Sequence, residues 1–464
     1  MKNIFSFFGK NTKSDDSRID NPNQNKEANN SFVYGVEDVF KLRDSNDLVV
    51  VGYVHGIMKP GMAVYVSNIG DDEGSIFLTE IISMESFGKM VTTATNKPIG
   101  IRLKNGSTGN IKIGSVIHSR DASTKEVHDA YVFAIDATYI KSKSLSLTED
   151  EFNKMSITDC AEAWNLYNEH IRSSIDGSAE KDLQIYRNKI DVLAKHLISK
   201  ILDSEEIYTI INKKTGEPHL FSNTVKQNNG GYMCTPPDIM IVSKAYSKVY
   251  EQTYPRELFE IRAISNGENK DGIYNFLGSS FYLNGACGVA INSQRTAINA
   301  NMIVPEPDYS NIPEIQIPIS NPDLVRWLLL MGQIGAPQSE DAQLIYNLYY
   351  RFMSLALPKA KFLVPMKNDG NLSPGDNGEI ILEKDTKLSF PTSKGKNSKD
   401  CVPLFTDWKR LRMVYDVEWN AMIQPLSGFI NTFDCSINPT EFTAAGCYIT
   451  KETYDQMEEF ASQQ

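Results

Sequence analysis

Along the chain the spacing of apolar positions changes character. From Phe32 to Arg120, short runs of Val, Ile and Tyr are separated by Gly, Asn and Asp, the pattern of a small closed β structure. The clearest run is DLVVVGYVHG, in which Gly52 and Gly56 bracket a strand. Lys59-Pro60-Gly61 then supplies a turn, because Pro sets φ and Gly accepts a positive φ. Met62 to Val66 predicts the next strand, and Asp129 to Ile140 a later one. Beyond that the period lengthens. Thr148-x-x-Glu151 is a capping box, in which each side chain satisfies an orphan backbone N–H. Trp164, Tyr167 and Ile171 recur at near-helical spacing, as do Ile185, Ile190, Leu193, Leu197 and Ile201. Both stripes read as core faces of helices.

The second half of the chain repeats an order of elements. DLQIYRNKI, a helix, EEIYTIINKKTGEPHLF, MCTPPDIMIVSKAYSKVY and CGVAIN run parallel to DAQLIYNLYY, a helix, KFLVPMKNDG, CVPLFTDWKRLRMVY and DCSINP. The landmarks lie about 150 residues apart, near the size of one domain. In both series the order is helix, strand, hairpin strand, strand-to-helix junction and closing strand. Gly216, Gly285 and Gly370 fall in turns of the repeat. The expected organisation is a disordered tail over 1–31, a barrel over 32–122, and a strand and helical connector over 123–180. Two related α+β domains follow, over 181–335 and 336–464.

Composition excludes several classes. The 464 residues are 41% hydrophobic, enough for substantial cores, and at ~150 residues per domain they predict about three domains. A formal net charge of −11 argues against broad phosphate-backbone binding, which needs a cationic surface that displaces counterions. Six cysteines without a Cys-x-x-Cys pair offer neither a zinc ribbon nor a thioredoxin-type motif, and suit reduced thiols in a cytoplasm. No run approaches the ~20 apolar residues that cross a bilayer, so a cytoplasmic location is expected. The start, MKNIFSFFGK, clusters Phe5, Phe7 and Phe8 between two lysines and reads either as a frayed terminus or as a weak membrane or docking contact.

Two stretches resemble known families. VEDVFKLRDSNDLVVVGYVHGIMKPGMAVYV and KPIGIRLKNGSTGNIKIGSVI resemble the β-barrel second domain of translational GTPases such as EF-Tu. That resemblance implies an interaction module with tRNA or ribosome among its partners, or a barrel that only scaffolds its neighbours. The chain holds no Gly-x-x-x-x-Gly-Lys-Ser/Thr loop and no Asn-Lys-x-Asp guanine reader, so GTP hydrolysis is not expected. Phe362 to Pro365, Pro403-Leu404-Phe405-Thr406-Asp407-Trp408, Asp434 to Pro439 and the last helix resemble the SseB (enhanced serine sensitivity) family. This implies a mixed-sheet α+β domain with no settled reaction. The first of the two series departs from the pattern, with Pro237 and Asp238 read in place of Phe-Thr and Ser293 after Asn292.

The candidate chemistry gathers at the junction of the second series. Phe405, Thr406, Asp407, Trp408, Arg410 and Asn438 are the candidate binding residues. Asp407 or Thr406 at a helix start can accept a hydrogen bond from a free N–H and place negative charge at the positive end of the dipole. As a binding anchor, Trp408 would stand partly exposed with Asp407 and Arg410 as its polar rim. The preferred reading is plainer: the junction caps a helix, Trp408 packs inward, and Lys409, Arg410 and Arg412 form a solvated face over Leu411, Val414 and Tyr415. No histidine lies beyond His219, which removes a Ser/Cys-His nucleophile from the second domain. No catalytic group, metal or cofactor is therefore expected. The function class is a non-catalytic interaction or regulatory scaffold, against a ribosome- or RNA-associated factor using the barrel, or an enzyme of unknown reaction.

Overall fold

The alternating segment closes on itself. The computed structural model describes residues 31–463 apart from 44, 71–74, 107–109, 142–148, 175–179, 229, 293–296, 314–315, 369–372, 375–379, 382–385, 395–398 and 443–444. Strands β1 (Phe32–Lys41), β2 (Leu48–Met58), β3 (Ala63–Ser67), β4 (Ile76–Ser86), β5 (Lys89–Met90), β6 (Ala94–Leu103) and β7 (Val116–His118) lie in the order β3-β7-β1-β2-β6-β4-β5. Because β3 also pairs with β4, the sheet is a closed six-stranded barrel with β5 as a hairpin extension. Val36, Val50, Val64, Ile81, Ile101 and Leu103 alternate into its core. Phe5, Phe7, Phe8 and the tail they belong to lie outside the described residues.

The stretch read as a strand over Asp129 to Ile140 is instead helix α1 (Thr124–Ile135), running into a π-helical turn over Asp136–Lys141. Its content of Val, Tyr, Phe and Ile suits a strand, but the buried positions Val127, Ala130, Tyr131, Ala134 and Ile135 follow helical spacing. Ser123 and Glu126 complete a capping box at its start. Thr148, half of the box expected from the sequence, lies outside the described residues. Helices α2 (Glu149–Lys154), α3 (Ile157–Ser174) and α4 (Glu180–Asp203) follow, with Leu193, Leu197 and Ile201 buried on α4. The barrel is tied to them at Asp159, which accepts a hydrogen bond from Tyr131 at 2.9 Å and pairs with Lys112 of the barrel at 3.7 Å. Burial pushes the Asp159 carboxyl up, and the Lys112 charge pulls it back.

The first α+β unit comprises β8 (Glu206–Asn212), β9 (Glu217–Pro218), β10 (Thr224–Lys226), β11 (Tyr232–Cys234), β12 (Asp238–Val242), α5 (Lys244–Thr253), β13 (Phe259–Ser265), α6 (Gly272–Tyr282), β14 (Gly288–Ile291), β15 (Ala297–Asn299) and α7 (Ala300–Ile303). Its sheet runs β13-β8-β12-β14-β15. Helix α8 (Pro322–Ile334) is shared between the units. Val325, Leu329 and Leu330 enter the core of the first, while Leu324 and Leu328 enter that of the second. An amphipathic stripe wider than one core needs thus joins two cores across one helix.

The second unit comprises α9 (Glu340–Ala356), β16 (Lys361–Asn368), β17 (Ser373–Pro374), β18 (Ile380–Ile381), β19 (Leu388–Ser389), β20 (Ser393–Lys394), β21 (Asp400–Leu404), α10 (Trp408–Arg412), β22 (Asn420–Pro425), β23 (Cys435–Ile437), β24 (Cys447–Ile449) and α11 (Lys451–Ser462). An antiparallel bridge from Leu363 to Phe405 joins β16 to β21, so the central order is β22-β16-β21-β23-β24. The pairing senses follow those of the first unit. β12 is parallel to β14 as β21 is to β23, and the remaining neighbours are antiparallel in both.

The same backbone device closes each junction. Asn292 and Asn438 follow the closing strands with φ of 53° and 47°, a left-handed conformation that asparagine tolerates. The Asn292 side chain accepts from the Ser243 N–H at 2.8 Å, and the Asn438 side chain from the Thr406 N–H at 3.0 Å. Val242-Ser243 therefore stands where the second unit has Phe405-Thr406. The reading that put Pro237 and Asp238 there is corrected: both precede or open β12, one strand length too early. Gly216 and Gly285 adopt φ of 67° and 77°, and Gly370 lies outside the described residues.

Candidate functional site at the junction of the two units

The turn after β21 is built from side chains that satisfy its own backbone. Asp407 is the N-cap of α10, and its Oδ1 accepts from the Arg410 N–H at 3.0 Å. Thr406 Oγ1 donates to Asp407 Oδ2 at 2.8 Å, and Asn321 Nδ2, just before α8, donates to the Thr406 carbonyl at 2.8 Å. The side chains of Thr406 and Asp407 are thereby used within the turn.

Arg410 carries the turn across to the first unit. Its guanidinium is 2% exposed; Nη1 donates to Asp407 Oδ2 at 2.6 Å and Nη2 to Asn284 Oδ1 at 2.9 Å. Nη2 also reaches Glu217 Oε1 at 3.4 Å. Asn284 Nδ2 returns a hydrogen bond to Glu217 Oε2 at 2.9 Å, and Lys409 Nζ donates to both Glu217 oxygens at 3.0 Å. Two cations and two carboxylates close a charge-neutral network, which is what a buried guanidinium requires to offset its desolvation.

The docking is also steric. Gly216, in the turn between β8 and β9, holds φ 67°, and a Cβ there would stand 2.7–3.0 Å from the Phe442 ring of the second unit. Glycine is needed twice over, for the backbone and for the ring. At Gly285 a Cβ would meet the Pro322 carbonyl oxygen at 2.1 Å, so this turn seats the start of α8.

Beside the network runs a cleft of ≈ 250 Å³. The sheet face of the first unit forms its floor through Ile211, Arg262 and Ile264, with Phe276 as one wall and Lys409, Met413 and Phe442 of the second unit as the other. Arg262 is engaged by Glu260 in a two-pronged pair at 2.9 and 3.0 Å.

The structure divides the six candidate binding residues unevenly. Phe405, Thr406, Asp407, Arg410 and Asn438 are buried at 0–2% exposure, so none can serve as an exposed contact or polar rim. Trp408 is the exception. It was expected to pack inward, yet it is 37% exposed, because the α10 face that turns inward carries Arg410 and Leu411. Its ring is covered instead by the Arg412 guanidinium at 4.8 Å. Arg412 donates to the carbonyls of Asp416 and Trp419. The solvated face expected over Leu411, Val414 and Tyr415 is likewise revised: Arg410 is buried and Val414 is 44% exposed. Glu217, Asn284, Gly216 and Phe442 were not singled out by the sequence as site residues; their only signal is proximity in space.

Four of the cysteines are held towards the unreactive thiol, Cys234 and Cys287 being raised by burial as well. Burial pushes the Cys435 and Cys447 thiols up to about 12. On the barrel, Ile76 and Leu78 near the start of β4 and Phe87 and Met90 at the β4–β5 hairpin are exposed. No helix among the described residues is long and apolar enough to cross a membrane.

Residues 350–438 match the family model described as the SseB protein N-terminal domain. The match starts in α9 and ends on Asn438, so it contains the whole α10 junction but none of the first-unit residues it docks on. No curated protein matches the chain. Among solved structures, the translation elongation factor SelB from Methanococcus maripaludis, apo and with the GTP analogue GppNHp, aligns at 22% identity and a TM-score of 0.18. The alignment covers 20% of this chain and 20% of each of those.

Proposed function

We propose that the protein is a non-catalytic cytosolic scaffold of the SseB family, in which two related copies of one α+β fold are welded into a single body that presents surface to a partner. The observation that carries this reading is the fate of the junction's chemistry. Asp407, Arg410, Glu217 and Lys409 are consumed by one another, which leaves structural ion pairing rather than a free acid, base or nucleophile. What remains at the edge is Trp408, an aromatic side chain of the kind that anchors interfaces. The common sheet order and the matched Asn292 and Asn438 brackets support reading the units as copies.

The test is affinity capture of the full chain from its native cell, with wild type and Trp408→Ser side by side, followed by mass spectrometry and a metabolite-turnover screen. A partner retained by wild type and lost by the variant at unchanged melting temperature supports the scaffold. Turnover of a metabolite with no stable partner overturns it in favour of an enzyme. Co-sedimentation with ribosomes that weakens steeply with salt would move the function to the barrel.

A further inference from the structure

Strand β13 ends the sheet of the first unit, and no described strand lies on its outer side. At seven residues it is longer than the other end strands of the two units, β15, β22 and β24. Its hydrogen-bonding parity is fixed by its neighbour β8. Lys213 N–H donates to the Leu258 carbonyl and Asn266 N–H to that of Glu205, both at 2.8 Å, which brackets the strand. With Glu260, Arg262 and Ile264 opposite Ile211, Thr209 and Ile207, the even-numbered residues exchange bonds with β8. The N–H groups of Ile261 and Ala263 and the carbonyls of Phe259, Ile261 and Ala263 consequently point out of the sheet.

From this edge we infer that β13 pairs with β13 of a second copy of the chain, antiparallel about a two-fold axis at Ile261. Only this register makes the strand complementary to itself. Ile261 exchanges both of its backbone bonds with Ile261 of the second copy. Phe259, whose own N–H is taken by the Pro255 carbonyl at 2.9 Å, accepts from Ala263 of the second copy through its carbonyl. On one face the large Phe259 then lies across from the small Ala263, and on the other Glu260 lies across from Arg262, twice by symmetry. Glu260 and Arg262 already pair within the chain at 2.9 and 3.0 Å, so the dimer gathers two acids and two bases into one box without net charge. A strand edge protected against association carries like charges or proline instead. β22, at the corresponding place of the second unit, ends in Pro425 and carries no charged side chain.

Sedimentation equilibrium of the full chain tests this. Wild type is expected to associate reversibly towards twice the 52.1 kDa chain mass. Glu260→Arg and Arg262→Glu each place like charges across the axis and should weaken association by about tenfold or more, while the double variant Glu260→Arg/Arg262→Glu restores the pairing and the affinity. Both positions are at the surface, and unchanged melting curves confirm that the variants fold. Ile261→Cys should in addition give an oxidised, disulfide-linked dimer where wild type, with its own free thiols, gives none, since facing residues of a bonded pair lie about 5.5 Å apart at Cα. A wild type that stays monomeric at high concentration overturns the inference and leaves the edge to a strand of another protein. Dimerisation that is indifferent to the single reversals, or not restored by the double one, overturns it equally.

Discussion

The two α+β units share a sheet order and an asparagine bracket, yet their junctions do opposite things. In the second, Asp407 caps α10 and holds Arg410, which reaches out of its own unit. In the first, Ser243 opens α5 without making a capping bond, its hydroxyl is buried without a hydrogen-bond partner, and Lys244 stands at the next position. Its bracket is spent inward instead: Asn292 donates to Thr158 of α3 at 3.0 Å and accepts from the Tyr250 hydroxyl at 2.7 Å through its carbonyl. The difference teaches a division of labour. One unit supplies a charged probe, and the other supplies the receptor for it, made of Glu217, Asn284 and two glycines that leave room.

The largest expected effect comes from breaking that asymmetry at its centre. Arg410→Ala leaves Asp407 and Glu217 buried beside one another without their shared cation, and should destabilise the protein by about 3–5 kcal/mol in chemical denaturation. Arg410→Met, which keeps the volume but not the charge, should be nearly as damaging on its own. Combined with Asp407→Asn and Glu217→Gln it should recover much of the loss, because no buried charge then remains, and Lys409, with its side chain 43% exposed, keeps its charge in water. If the triple variant is no better than Arg410→Met, the network is not the weld between the units.

Next in size is the steric half of the receptor. Gly216→Ala forces a side chain into a left-handed backbone and against the Phe442 ring, which should cost about 2–3 kcal/mol. Phe442→Ala in the same chain should remove the steric part and leave only the backbone part, about 1 kcal/mol. A double-mutant cycle in thermal unfolding measures the coupling directly. Additive losses would place Phe442 away from the turn.

Much of this was legible in the sequence, and the rest was hidden for a physical reason. The barrel announced itself through short runs of Val, Ile and Tyr parted by Gly, Asn and Asp and through the Pro60-Gly61 turn, and the cap at Asp407 through an acid at the start of a helix. The strand expected over Asp129 to Ile140 failed because its residues favour either period, and the deciding signal, Ser123 with Glu126, lay just upstream. Arg410 looked like one of three solvated cations since its acceptors in the first unit lie 126 and 193 residues away. A local pattern records which residues share a face, not which distant loop that face meets.

Titration separates the units more gently. The only histidine of the two, His219, is held down to about 4 by desolvation, with its ring edge-on to Phe221 and Phe259 at 4.6 and 5.2 Å. A depressed pKa means that its share of stability is present above the ordinary value near 6.5 and is lost as pH falls towards 4. Burial raises Asp238 to about 6, and the sign reverses: its share is present below the ordinary value of 3.8 and is lost as pH rises through 6. Each is worth about 3 kcal/mol over its window, so the two shares offset one another. Relative to the wild type, His219→Phe should make the slope of stability from pH 4 to 6.5 fall, and Asp238→Asn should make it rise. Parallel slopes in the two variants would break the assignment.

The smallest effect on folding is expected where the sequence promised a large one. Trp408 has no counterpart in the first unit, where Ala245 follows Lys244 at the matching position, so the shared fold does not need it. At 37% exposure, with Arg412 rather than an apolar core over its ring, truncation removes a cation–π contact and some surface area. Trp408→Ala should therefore cost about 1 kcal/mol, against about 3–5 kcal/mol for a Trp buried in a core. Arg412→Ala should cost more, because it also gives up the hydrogen bonds to the Asp416 and Trp419 carbonyls, and adding Trp408→Ala to it should cost little further, because the shared contact is already gone. A melting temperature that collapses in Trp408→Ala would return this residue to the core. A melting temperature that barely moves keeps Trp408 as surface that the fold leaves free, and makes it the residue to follow when a partner is sought.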